Sequence, residues 1–266
     1  MIWLDPGFDK KIQPRWETVK DALAIRGETY RQPENAQRRT LRFEVDGRGY
    51  FIKQHWGVGW GEILKNLLTL KRPVLGAENE WLAINRLNQL GIETMELMGF
   101  GIEGWNPAQI RSFVVTRELA DTISLEDYCA NWATSAADPV IKRLLISRVA
   151  DMVSKLHANG VNHRDLYICH FLLQLPWQGD VENLSLYLID LHRVQIRSRT
   201  PRSWLIRDLG ALYFSALNIG LTRRDLLRFI RNYQQQPLAE SLVKNARFWR
   251  AVKARAEQLS RRKLKA

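Results

Sequence analysis

The chain has 266 residues, 45% hydrophobic and 26% charged, enough for a full core as one large domain or a two-lobed unit. No apolar run approaches the roughly 18 residues that span a bilayer, and the N-terminus has no charged-then-apolar signal pattern. A cytoplasmic protein is therefore expected, with peripheral membrane attachment left open. The net charge of +12 calls for an anionic partner, whether nucleic acid, a phosphorylated sugar, an acidic protein or an anionic membrane face. Cys129 and Cys169 sit in unrelated contexts without metal spacing and read as free thiols.

Residues 1–26 read as a lead-in with one short helix, Trp16 to Ile25. Strands follow: Glu28 to Arg31, then Arg39 to Val45 and Gly49 to Lys53 flanking Asp46-Gly47, a strong hairpin signal. Between the first two strands no Gly-x-Gly-x-x-Gly phosphate loop occurs; Gln32 to Thr40 stands there instead. Arg38 or Arg39 could approach phosphates in its stead, or occupy a solvated turn. Ala77 to Leu90 has Trp81, Ile84, Leu87 and Leu90 at helical spacing and is closed by Gly91. Two further strands fall near Thr94–Phe100 and Ser112–Thr116, and Glu118-Leu-Ala reads as a connector. Helices dominate afterwards: Ile141 to Asn159 ended by Gly160, Ile206 to Asn218, and Thr222 to Tyr233 with a threonine N-cap. The pattern is α+β, with a small β-rich N-lobe over residues 1–118 and a larger helical C-lobe over 119–266.

The chemistry concentrates in two loops. Gly160-Val-Asn-His163-Arg164-Asp165 puts a carboxylate after a long amphipathic helix, and Asp190 follows twenty-five residues later at the end of the apolar strand Leu184 to Ile189. Phosphoryl transfer needs two such acids, one to accept a hydroxyl proton and one to hold a metal against nucleotide phosphates. Asp165 is the candidate base. Asp190, at the end of a buried strand, must cap or coordinate something, and Mg²⁺ bridging phosphates is a fitting partner. His170 stands five residues after Asp165, where protein kinases use an Asn on the second metal. Imidazole suits hard Mg²⁺ poorly, so His170 either binds metal weakly or hydrogen-bonds the loop. Lys53 is the candidate ammonium for the α/β-phosphates of ATP, held by Glu80 with Glu78 as the rival. Asp208 is structural: either it pins the His-Arg-Asp backbone or it is a first-turn helix carboxylate.

Several stretches together resemble the WaaP/RfaP family of lipopolysaccharide core heptose(I) kinases of Gram-negative bacteria. They are Arg38 to Val45, Glu62 to Leu68, Pro73 to Ala77, Val161 to Leu173, Ile189 to Arg193 and Leu212 to Thr222, within a span from about Arg26 to Pro237. The resemblance implies a protein-kinase-like fold and transfer of the ATP γ-phosphate to the 4-hydroxyl of the first inner-core heptose. Asp165 would take the hydroxyl proton, while Asp190 with Mg²⁺ and Lys53 neutralise the phosphates. It also accounts for His170 and for the missing glycine loop, which otherwise favour a catalytically dead pseudokinase. A kinase of the same fold acting on a Kdo sugar, a small alcohol or a protein side chain is the nearest alternative.

The expected substrate, nascent lipopolysaccharide (lipid A-core) at the cytoplasmic face of the inner membrane, suits the basic composition. Glu62 to Leu75 mixes Ile63, Leu64, Leu67, Leu68 and Leu70 with Lys65, Lys71 and Arg72. It fits an amphipathic helix on an anionic surface, one gripping an acyl chain, or one packed on the small lobe. Lys244 to Lys265 carries nine Lys/Arg against one Glu, with Phe248 and Trp249 interleaved. That stretch could meet lipid phosphates or an acidic helper such as acyl carrier protein, or be a solvated helix. Nucleic acid is not an expected partner: no helix-turn-helix, zinc spacing or RNP aromatic motif accompanies the charge.

Overall fold

A computed structural model describes residues 1–266 apart from 13, 32–36, 69–75, 136 and 265–266. The chain divides into two units, one of Met1–Arg86, Met95–Ala120 and Leu191–Arg193, the other of Leu87–Thr94, Asp121–Asp190 and Val194–Ala266.

The first unit begins with β1 (Ile2–Leu4), α1 (Pro6–Asp9) and α2 (Val19–Ala24). Next come β2 (Glu28–Arg31), β3 (Arg38–Val45), β4 (Arg48–His55), α3 (Gly59–Leu68), α4 (Glu78–Gln89), β5 (Leu97–Glu103) and β6 (Arg111–Arg117). Its antiparallel sheet runs β1-β5-β6-β4-β3-β2. Asp46 and Gly47 take φ of 50° and 70° as the two-residue turn between β3 and β4, the conformation an Asp-Gly pair supplies at low cost. The lead-in is more than one helix. Phe8, Ile12 and Trp16 are core residues, with Phe8 5.0 Å from the ring of Tyr50 and Trp16 5.6 Å from that of Phe113. Trp16 precedes α2 rather than belonging to it, because Thr18 and Asp21 form a capping box that starts the helix at Val19. Along β4, Tyr50 and Ile52 are buried in this cluster, so Phe51 and Lys53 point to the other face by the period of a strand.

The second unit contains β7 (Thr122–Ser124), α5 (Leu125–Tyr128), α6 (Pro139–Ala158), β8 (Val161–Asn162), β9 (Phe171–Gln174), β10 (Leu186–Leu188) and β11 (Gln195–Ile196). Then follow α7 (Arg202–Ser215), α8 (Arg223–Gln234), α9 (Leu238–Lys244) and α10 (Ala246–Lys263). Asp138 caps α6 through Val140 N and Ile141 N, with Pro139 at the first helical position. Beyond α6, Gly160 has φ of 77°, and a Cβ there would collide with the Arg197 carbonyl on the strand pairing opposite. The β8–β9 and β10–β11 connections, which carry Asp165 and Asp190, hang from short paired strands. Among the described residues no helix is long and apolar enough to cross a membrane.

Candidate phosphotransfer site

In the first unit, Lys53 lies in β4 opposite Thr40 and Val114, and β4 continues past it to His55. Its Nζ is 2.6 Å from Oε1 of Glu80 in the first turn of α4. Glu80 is buried and Glu78 exposed, so the helix offers the lysine the carboxylate at 80. The other Glu80 oxygen is buried without a hydrogen-bond partner, which leaves Lys53 as the ionic partner of a desolvated carboxylate.

Arg38 and Arg39 belong to β3 rather than to a turn. Arg39 donates to Gln54 Oε1 at 3.0 Å, and its guanidinium lies 5.3 Å from the Trp56 ring centre, so it is built into the sheet surface. Residues 32–36, the rest of the Gln32 to Thr40 run before Gln37, lie outside the described residues. Sequence reading passed over His55. It is buried with Nδ1 unpartnered, and burial, then the charges of Arg38, Lys53 and His192, hold its pKa down at about 3. A neutral imidazole therefore stands among three basic side chains.

The second unit builds its acidic loops on a buried carboxylate. Asp208 is not a first-turn residue, since α7 begins at Arg202. Its Oδ2 accepts from His163 N at 2.6 Å and its Oδ1 from Arg164 N at 2.9 Å. Asp208 thus fixes the two residues immediately before Asp165. Behind it, His157 Nε2 lies 3.3 Å from Asp208 Oδ2, and His157 Nδ1 lies 2.9 Å from the Tyr233 hydroxyl. Burial, with Asp208 nearby, pushes the Tyr233 phenol up, so it stays protonated, and His157 Nε2–H donates to the Asp208 carboxylate. This brace was not legible beforehand, because its members are 51 and 76 residues from His157 and carry no local spacing signal.

His163 is buried, and its Nε2 donates to the Ile189 carbonyl at 3.0 Å, tying the first loop to the residue before Asp190. Burial depresses the His163 pKa, partly offset by Asp208. His170 Nδ1 donates to the Asp165 carbonyl at 2.7 Å, and the backbone of Ile189 donates to the His170 carbonyl at 3.0 Å. Asp165, His170 and Asp190 are therefore brought together within one unit. Arg164 and Asp190 both adopt left-handed backbone, φ of 75° and 62°, a conformation that costs a non-glycine residue about 1 kcal/mol.

With Nδ1–H spent on Asp165, His170 turns Nε2 toward Asp190 Oδ2 at 3.5 Å. The imidazole and the carboxylate thus face one another beside the Asp165 loop. No group of three or more His, Cys, Asp or Glu able to hold a metal occurs among the described residues. Asp190 offers one carboxylate here, and Mg²⁺ can be held by one or two carboxylates with water and phosphate completing its shell.

A β-rich unit with a strand lysine paired to a helix glutamate, and a helical unit with a pinned His-Arg-Asp loop, define a protein-kinase-like fold with a small N-lobe and a larger helical C-lobe. Residues 21–233 match the model of the lipopolysaccharide kinase (Kdo/WaaP) family, and the chain belongs to that family. It is 50% identical over 247 residues to lipopolysaccharide core heptose(I) kinase WaaP of Escherichia coli strain K12, covering 91% of this chain and 92% of that one. The enzyme of the same name from Pseudomonas aeruginosa strain PAO1 is 52% identical over 240 residues, 90% of this chain and 89% of the relative. A solved structure described as WaaP in complex with acyl carrier protein superposes with a TM-score of 0.82 at 43% identity, covering 97% and 99% of the two chains.

Proposed function

We propose that this protein transfers the γ-phosphoryl group of ATP to the 4-hydroxyl of the first heptose of the lipopolysaccharide inner core. The observation that carries the reading is the Asp208-pinned loop bearing Asp165, in a chain about half identical along nearly its whole length to kinases named for that acceptor. Residues 1–118 serve as the nucleotide lobe and 119–266 as the lobe that receives the sugar.

Asp165 accepts the proton of the attacking hydroxyl. Asp208 makes that possible by holding the backbone at 163 and 164, so the carboxylate needs no reorganisation when the sugar arrives. Lys53, aligned by Glu80, pairs with the α/β-phosphates. Mg²⁺ held by Asp190 would neutralise charge on the β/γ-phosphates. His170 orients the segment through its bond to the Asp165 carbonyl. Arg38, beside Lys53 and His192 around His55, adds positive potential near the nucleotide phosphates, and Arg39 supports it from the sheet.

The acceptor is nascent lipid A-core, which brings the protein to the cytoplasmic face of the inner membrane. A second partner is an acyl carrier protein. The solved relative is described in complex with one, and α10 offers Arg247, Arg250, Lys253, Arg255, Arg261 and Arg262 for an acidic surface. The activity is tested with purified protein, labelled ATP and core lipopolysaccharide lacking heptose phosphate. Label should enter the first heptose only with wild-type protein, and label on a Kdo residue instead would move the reading to another acceptor.

A further inference from the structure

In α3 a core-type stripe is left without a core. Trp60, Ile63, Leu64, Leu67 and Leu68 recur at i, i+3, i+4, i+7 and i+8, the spacing of a helix face that packs on its own domain. Only Ile63 does so, in a small cluster with Val58 and Ala108. Trp60, Leu64, Leu67 and Leu68 are 56%, 55%, 54% and 85% exposed. The loop that anchors the helix carries one more exposed aromatic side chain. Gly59 N donates to the Ala108 carbonyl at 3.0 Å, and three residues before Ala108 stands Trp105, 92% exposed.

We propose that Trp60, Leu64, Leu67 and Leu68, with Trp105, seat the first unit on the interface of an anionic bilayer. The chemistry of the patch selects this occupant. Tryptophan favours the headgroup level, where an apolar ring and a polar N–H are both satisfied, and leucines reach the acyl boundary beneath it. Exposed Lys65 borders the stripe in a chain of net charge +12, so the attraction is to acidic lipid. No helix among the described residues can cross the membrane, so docking is in plane. The biological use rests on the lipid-borne acceptor proposed above: a protein seated on the leaflet searches for its substrate in two dimensions.

The test uses the purified full chain and vesicles of phosphatidylcholine alone or mixed with phosphatidylglycerol, without any sugar acceptor. Wild type should sediment with the mixed vesicles, more weakly at high salt, and with a blue shift of tryptophan emission. The double variant Leu64→Ser/Leu67→Ser should lose at least about tenfold in partition coefficient, and Trp105→Ser severalfold. Both should keep the wild-type rate on a soluble, delipidated core oligosaccharide. Should the double variant melt early, Trp105→Ser alone decides, since its side chain is almost wholly in water. Absence of wild-type binding, equal binding to neutral vesicles, or unchanged partition in the variants would overturn the proposal. So would a concentration-dependent dimer of wild type that the double variant breaks without any vesicle binding. Vesicle binding by a protein that phosphorylates no core acceptor would sink the activity reading and leave this surface standing.

Discussion

Lys53 and Asp165 are the two charged groups proposed above for phosphate chemistry, and the chain holds them by opposite means. Lys53 sits in the regular ladder of β4, and Glu80 in the first turn of α4, so ordinary secondary structure brings the 2.6 Å pair together. Asp165 lies in irregular backbone next to a left-handed Arg164, and buried groups from distant parts of the second unit must hold it: Asp208 on two amides, then His157 and Tyr233 behind it. A pair on regular elements loses mainly its own charge when mutated. A loop held by a buried network fails through its supports as readily as through its reactive group.

The predictions separate those behaviours. Asp165→Ala should lower kcat by about 1,000-fold or more, since base and positioning are lost together. Its melting temperature should stay near wild type, because the Asp208 bonds to the 163 and 164 amides are kept. Asp208→Ala should cost about 3–5 kcal/mol in a urea titration, leaving two buried amides and His157 without their acceptor, and activity should vanish with it. Equal stability of the two variants would erase the contrast. In the first unit, Lys53→Met should reduce kcat/KM by about 100-fold with ATP saturation shifted upward. Glu80→Gln, which keeps shape and removes the buried charge, should cost less in rate than Lys53→Met.

A smaller effect comes from pH. His55 and His163 have folded-state pKa values depressed below the ordinary 6.5, His55 to about 3. The unfolded chain therefore takes up protons at higher pH than the folded one. The stability they contribute is complete above 6.5 and falls as pH drops through the window below it, toward about 3 for His55. Between pH 6.5 and 5 His55 should account for up to about 2 kcal/mol of lost stability, and His163 should add a loss of the same sign. His55→Gln should flatten part of that slope in thermal melts. Smallest of all, Thr222→Ala removes the cap of α8, remote from either charged site, and should cost about 1 kcal/mol without changing kcat.

Much of this was readable beforehand where local chemistry decides. The Asp-Gly hairpin, the α4 end at Gly91, the Thr222 cap and the order of strands and helices follow from neighbours in sequence. Glu80 was favoured over Glu78 by helix position, and its burial separates the two. What could not be read depends on distant partners or on very short elements. β1 and α1, of three and four residues, are too brief to show a period, although Phe8 and Trp16 anchor a core. The His157–Asp208–Tyr233 brace spans far-separated positions, and His55, two residues past the strand end read at Lys53, shows no local sign of its burial among basic side chains. The sequence leaves Arg38 and Arg39 open between an approach to phosphates and a solvated turn, with Arg39 opening the second strand. Strand pairing with His55 and Gln54 draws both into β3.

The most direct test is mass spectrometry of core lipopolysaccharide from cells lacking the gene and carrying either the wild-type chain or Asp165→Ala. Wild type should restore one phosphate on the first heptose, and Asp165→Ala, present at an equal level, should leave that sugar bare. Restoration by Asp165→Ala, or an undiminished heptose phosphate in the deleted strain, would contradict the account.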